Sequence, residues 1–149
     1  MAIAVKPSAR PMPMARCLLV EDSEFDQKRI ERTISGLGSI DLEIASTLRD
    51  ARRMMTSRVY DLVLLDNQLP DGLGVNFASE LRSFKGCAHT PVLMISDYPT
   101  PFMYHKASDA RVNMVLAKDE FRPSHVRDAL HFGRMKARHL LPERLSGTN

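Results

Sequence analysis

An α/β protein organised on one parallel sheet is what this sequence predicts, and three observations carry the prediction. Five short apolar runs alternate with five segments of helical period along the chain, the pattern of strands joined by crossover helices, with right-handed connections expected. The clearest run, Leu62–Leu65, is continuously apolar, which suits a strand buried on both faces of a parallel sheet. Four of the runs stop abruptly at Glu21-Asp22, Asp66, Ser96 and Lys118. That places their chemistry at the carboxyl ends of strands, where open α/β sheets put their sites.

Residues 1–14 are rich in Pro and Met and lack periodicity, so they are expected to form a mobile leader. Arg16–Val20 is the first strand. Ser23–Gly36 reads as a helix with Phe25, Ile30 and Ile34 inward, closed by Gly36 and Gly38. Leu42–Ala45 is a short second strand, after which Ser46 or Thr47 can cap a helix to about Ser57 with Leu48, Ala51 and Met55 inward. Leu62–Leu65 is the third strand, and Pro70, Asp71, Gly72 and Gly74 mark the turn beyond Asp66. A helix is expected from Gly74 to Lys85, with Phe77, Leu81 and Phe84 spaced to share one face and Gly86 to stop it. Thr90–Ile95 is the fourth strand. Thr100 and Pro101 are an N-cap and first-turn pair for a helix to about Ala110. Met114–Ala117 is the fifth strand, and Ser124–Leu141 is a final helix stopped by Pro142. The single domain is therefore expected over residues 15–141, with residues 142–149 as a frayed tail.

A hydrophobic content of 44% and a charged content of 26% fit an ordinary globular chain. No apolar run approaches the roughly 20 residues that span a membrane. Lys6, Pro7, Arg10, Pro11 and Pro13 interrupt any secretory signal. Cys17 and Cys87 make neither a disulfide framework nor a zinc pattern, so a cytoplasmic location is expected. A net charge of +3 is too small to imply nucleic acid as a partner.

Asp66 alone would read as a turn or capping aspartate. Gathered at one sheet edge with Glu21, Asp22, Ser96 and Lys118, it reads differently. Three close carboxylates repel one another unless a counter-ion is present, and a hard divalent cation with oxygen ligands, Mg²⁺ above all, supplies one. Lys118 and the Ser96 hydroxyl suit the oxygens of a transferred phosphoryl group, with Asp66 as its nucleophilic acceptor.

These residues resemble the receiver domain of bacterial response regulators. The pattern is an acidic pair after strand 1, an Asp after strand 3, a Ser or Thr after strand 4 and a Lys after strand 5. Here Glu21-Asp22, Asp66, Ser96 and Lys118 stand in those places, and Pro70 and Gly74 also match. The resemblance covers about residues 15–141. It implies a flavodoxin-like, doubly wound five-stranded sheet in the order 2-1-3-4-5 with five helices. It implies a Mg²⁺ site from Asp22, Asp66 and the backbone carbonyl of Gln68, with Glu21 holding metal-bound water. The phosphoryl donor would be a sensor histidine kinase or a histidine phosphotransfer protein. The chain would be no enzyme beyond its own phosphorylation and dephosphorylation.

Four positions depart from that pattern. Asp97 follows Ser96 where a small residue is usual; it either adds repulsion beside the phosphoryl site or points outward. Val115 replaces the Tyr or Phe whose rotation reports phosphorylation. Arg111 stands where a glycine often ends the fourth helix, and Asp119 where proline is usual. Asp97 and Val115 keep open a phosphorylation-independent interaction module as the alternative. A haloacid-dehalogenase-type phosphatase fits less well, since Gln68 stands where its second acid belongs. Gly72-Leu-Gly74 followed by Phe77 is no dinucleotide fingerprint either.

On the last helix, Val126, Leu130, Gly133 and Ala137 fall on one side, assigned to the core. Arg127, His131, Arg134 and Arg138 form a basic stripe beside it, and Phe132 and Met135 lie roughly opposite the core. This surface is expected to dock a downstream protein or a second copy of the chain. DNA is disfavoured, because one short stripe neutralises few phosphates.

Overall fold

In the computed structural model, residues 14–146 are described, with side chains as far as Lys136. The expected leader thus lies outside the described residues apart from Met14, as do the side chains of Ala137 and Arg138.

Among the described residues, seven strands and five α-helices follow in chain order: β1 (Ala15–Val20), α1 (Glu24–Ile34), β2 (Ile40–Ala45), α2 (Leu48–Ser57), β3 (Leu62–Leu65), β4 (Gln68–Leu69), β5 (Gly72–Leu73), α3 (Gly74–Leu81), β6 (Val92–Ser96), α4 (Pro101–Asp109), β7 (Met114–Ala117) and α5 (Pro123–Ser146). The main sheet is parallel in the order β2-β1-β3-β6-β7. The antiparallel pair β4/β5 is a small separate ribbon, so the main sheet has the expected order 2-1-3-4-5.

Successive residues of a strand face opposite sides, and the core divides accordingly. Leu18, Val20, Val63, Leu65, Val92 and Met94 pack with α2, α3 and α4 residues such as Met55, Phe77, Leu81 and Met103. Cys17, Leu19, Leu62, Leu64, Leu93 and Ile95 pack with α1 and α5 through Ile30, Ile34, Val126 and Ala129. Helices on both faces explain why the strands read as unbroken apolar runs.

Several expectations need correction. Phe25 is not inward but 75% exposed. At about 100° per residue it lies some 140° from Ile30, whereas Asp26 is in line with Ile30 and Ile34. The helix ends at Ile34 and tightens into a 3₁₀ turn, Ser35–Leu37, with Gly38 at φ 77°. Strands β1 and β2 begin earlier than expected, and β6 begins at Val92 and includes Ser96. Helix α3 ends at Leu81, four residues short of Lys85, because the amides of Arg82, Ser83 and Phe84 bond three residues back instead of four. The Arg82 side chain then covers the carbonyls of Cys87, Thr90, Ala110 and Arg111. Helix α5 starts at Pro123, whose missing N–H costs nothing in a first turn. It continues past Pro142 to Ser146; a proline deletes one backbone donor and kinks a helix without always ending it.

Arg111 takes φ 58°, the left-handed conformation that a glycine would adopt there without strain. On α5, Val126 is buried and Leu130 and Gly133 half-buried, while Arg127, His131, Phe132, Arg134 and Met135 are exposed.

Candidate functional site

Register brings the strand ends together. Val20 pairs with Leu65, so Glu21 and Asp66 emerge side by side. Leu65 pairs with Met94 and Ser96 with Ala117, which brings Ser96 and then Lys118 to the same edge. Glu21, Asp22, Asp66, Gln68, Ser96, Asp97 and Lys118 all line one cleft of about 340 Å³. Every residue assigned to the acceptor site from the sequence therefore converges there. The last-helix residues Arg127, His131, Phe132, Arg134 and Met135 do not line it.

The cleft is heavily acidic. Lys118 is the ammonium among Glu21, Asp22, Asp26, Asp66 and Asp97. Its Nζ stands 2.7 Å from Asp26 Oδ2, 3.0 Å from Glu21 Oε2, 3.5 Å from Asp97 Oδ2 and 3.7 Å from Asp66 Oδ2. Burial alone would lower the Lys118 pKa, but hydrogen bonds to Asp26 and Glu21 outweigh it and hold the ammonium charged. Asp97 is thus neither turned wholly outward nor free: its exposed carboxylate leans on Lys118.

Burial acts the other way on the acids. It raises the Glu21 carboxyl to about 7, against a backbone bond from Ser23 that favours the charged form. Asp66 is raised as well, chiefly by burial, with Lys118 and the Asn67 amide opposing. Glu21, Asp22 and Asp66 can each bring one oxygen within 4.8 Å of the others, an all-oxygen donor set that fits a hard divalent cation.

Neighbouring segments fix the acceptor loop. Asp66 Oδ1 accepts from the Asn67 amide at 2.8 Å. Asn67 in turn accepts from Gly74 N at its carbonyl, 2.7 Å, and from Val75 N at its side chain, 3.1 Å, tying the start of α3 to the loop. A Cβ on Gly74 would stand 2.0 Å from the Asp66 carbonyl oxygen, so this close approach requires glycine. Asp71 accepts from the amides of Leu48 and Arg49 at 2.9 Å each, capping α2 from across the loop.

Asp26 is the site residue that sequence reasoning missed. Its signal was present, because it stands four residues before Ile30 and eight before Ile34, on the buried side of α1.

Residues 17–131 match the response regulator receiver domain family. The chain is 30% identical over 122 residues to the gliding motility regulatory protein of Myxococcus xanthus, which covers 78% of this chain but 16% of that protein. It therefore spans about a sixth of that relative's length. In structure it is similar to a CheY-like receiver domain protein from Methanospirillum hungatei JF-1, with TM-score 0.74 at 18% identity, covering 83% of this chain and 98% of that one. It is also similar to the receiver domain of a sensor histidine kinase from Pseudomonas aeruginosa PAO1, whose structure has a magnesium ion coordinated in its active-site cleft. There the TM-score is 0.68 at 25% identity, covering 78% and 94% of the two chains. With the family matched across most of its length and the same fold in its neighbours, this chain belongs to the response regulator receiver domains of two-component signalling.

Proposed function

We propose that the chain accepts a phosphoryl group on Asp66 from a histidine kinase or a histidine phosphotransfer protein, with Mg²⁺, and signals by protein–protein contact. The observation that carries this reading is the meeting of Lys118 with Glu21, Asp22 and Asp66 in one cleft at the strand ends. An Asp66 carboxylate oxygen would form the new O–P bond as the P–N bond of the donor phosphohistidine breaks, its imidazole nitrogen taking up a proton. Lys118 and the Ser96 hydroxyl would hold the phosphoryl oxygens, so that catalysis is positioning and charge stabilisation. Glu21, Asp22, Asp66 and the Gln68 carbonyl would hold Mg²⁺, which when bound offsets the negative charge gathered there. No further enzymatic activity is assigned, and the expected location is cytoplasmic.

Output is assigned to the exposed surface of α5, where Arg127, His131 and Arg134 flank Phe132 and Met135, both over 40% exposed. A protein target or a second copy would dock there. The second reading, an interaction module that needs no phosphate, is favoured by Asp97, which already occupies Lys118, and by Val115, which has no ring to move.

The test is Asp66→Asn, which keeps the shape and removes the nucleophilic oxygen. Wild type should take an acid-stable, base-labile label from a cognate donor in Mg²⁺, and the variant none. Equal labelling of both would overturn the acceptor assignment; no labelling of either would favour the phosphate-independent module.

A further inference from the structure

We propose that Asp26 is a positioning residue that holds the Lys118 ammonium off Asp66 and so keeps the carboxylate cluster open to a divalent cation. The proposal rests on the acceptor reading above and adds a residue to it.

The shortest of the four contacts to Lys118 Nζ is the one to Asp26, at 2.7 Å, and the longest is the one to Asp66, at 3.7 Å. Lys118 is 9% exposed, so its few partners decide where the ammonium sits. The other charged groups facing it are Glu21 at 3.0 Å and Asp97 at 3.5 Å. Glu21 and Asp66 belong to the cluster that can hold a cation, and Asp26 does not. Asp26 and Asp97, outside that cluster, therefore compete for the lysine with Glu21 and Asp66, which belong to it.

Core packing, not chance, sets the position of Asp26. Ile30 and Ile34 are each 4% exposed and fix the rotation of α1. Ser23 caps the helix, its Oγ accepting from Asp26 N at 3.3 Å. The carboxylate is thereby presented to the cleft from the buried side of the first turn, and its side chain is 15% exposed. Without that charge, the remaining buried partners of the ammonium are Glu21 and Asp66. A lysine settled on them neutralises the nucleophile and repels an incoming cation, since like charges at such range disfavour one another.

The experiment is a double-mutant cycle read by Mn²⁺ binding alone, counted by the paramagnetic signal of the free ion. The set is the unaltered chain, Asp26→Asn, Lys118→Gln and the double variant, with Glu24→Gln as the control for losing one exposed acid on the same helix turn. Circular dichroism of each metal-free variant checks folding, and Asp26→Ser stands in if Asp26→Asn does not fold. Asp26→Asn should weaken Mn²⁺ binding about fivefold, within the range of couplings between residues in contact. The same change in the Lys118→Gln background, and Glu24→Gln in the unaltered chain, should each alter it less than about twofold. An equal loss with and without Lys118 would mean that Asp26 acts only through its own field and would overturn the proposal. So would unchanged binding in Asp26→Asn. Absence of Mn²⁺ binding by the unaltered chain would overturn the acceptor reading together with this one, whereas normal binding without coupling would overturn the role of Asp26 alone.

Discussion

Strand β3 lies at the centre of the sheet, and its four residues Leu62, Val63, Leu64 and Leu65 are wholly buried. Strand β7 lies at the edge, with Met114 45% exposed and Val115 and Ala117 half-buried. Both deliver a charged residue to the same cleft, Asp66 from β3 and Lys118 from β7. A residue following a fully packed strand inherits that strand's position, so the acceptor is fixed by core packing. A residue following an edge strand is held by what it meets at the site, here Asp26, Glu21 and Asp97. Of the departures from the family pattern, Val115 and Asp119 lie in or just after the edge strand and Arg111 shortly before it, Asp97 follows the buried strand β6, and none lies in β3.

That contrast predicts a ranking. Leu64→Ala should cost about 2–5 kcal/mol of stability in urea unfolding, the usual range for a buried leucine. Met114→Ala should cost less than about 1 kcal/mol, as for a side chain still half in water. Equal losses would mean that edge and centre are packed alike. Gly74→Ala comes next, at about 1–3 kcal/mol, the cost of forcing a methyl group into occupied space. Because the added atom would strike the Asp66 carbonyl, it should also slow phosphoryl labelling, and unchanged labelling would show that the acceptor loop yields freely. An effect of similar size is one of pH. Glu21 titrates at about 7 in the fold against an ordinary 4.5, so between these values the folded chain binds more protons than the unfolded one. Metal-free stability should therefore fall as pH rises from about 4.5 to 7, by roughly 1–3 kcal/mol. Glu21→Gln should flatten that slope, and an unaltered slope in this variant would assign the titration elsewhere.

The sequence made the strands and the acceptor set legible because both are local: an apolar run, then the residue that ends it. What it hid depended on rotation or on distant partners. Phe25 looked like the apolar anchor of α1, but the angle from Ile30 selects Asp26, and a carboxylate on a buried helix side is not sought by a search for apolar period. The end of α3 was misplaced because Arg82, which binds carbonyls from four residues in other turns, gives no periodic signal. Asp71 read as a turn residue, whereas it caps a helix more than twenty residues earlier. Gly74 read as a turn glycine too, and the contact that requires it, with the Asp66 carbonyl, appears only in three dimensions.

Arg82 has a mechanical consequence as well. Its guanidinium joins Cys87 and Thr90 to Ala110 and Arg111 immediately beyond the last turn of α4. The other end of α4 begins at Thr100, and Thr100 and Met103 line the cleft. The helix is thus held at its C-terminal end by the Arg82 clasp and along its length by Met103 and Ala107 in the core, with its N-terminal end bordering the site. Its nine residues span about 13 Å, so one rigid element joins the Thr100 end at the cleft to the clasp. With Val115 in place of an aromatic ring, this packed helix is the element that runs without a break from the cleft to the Arg82 clasp.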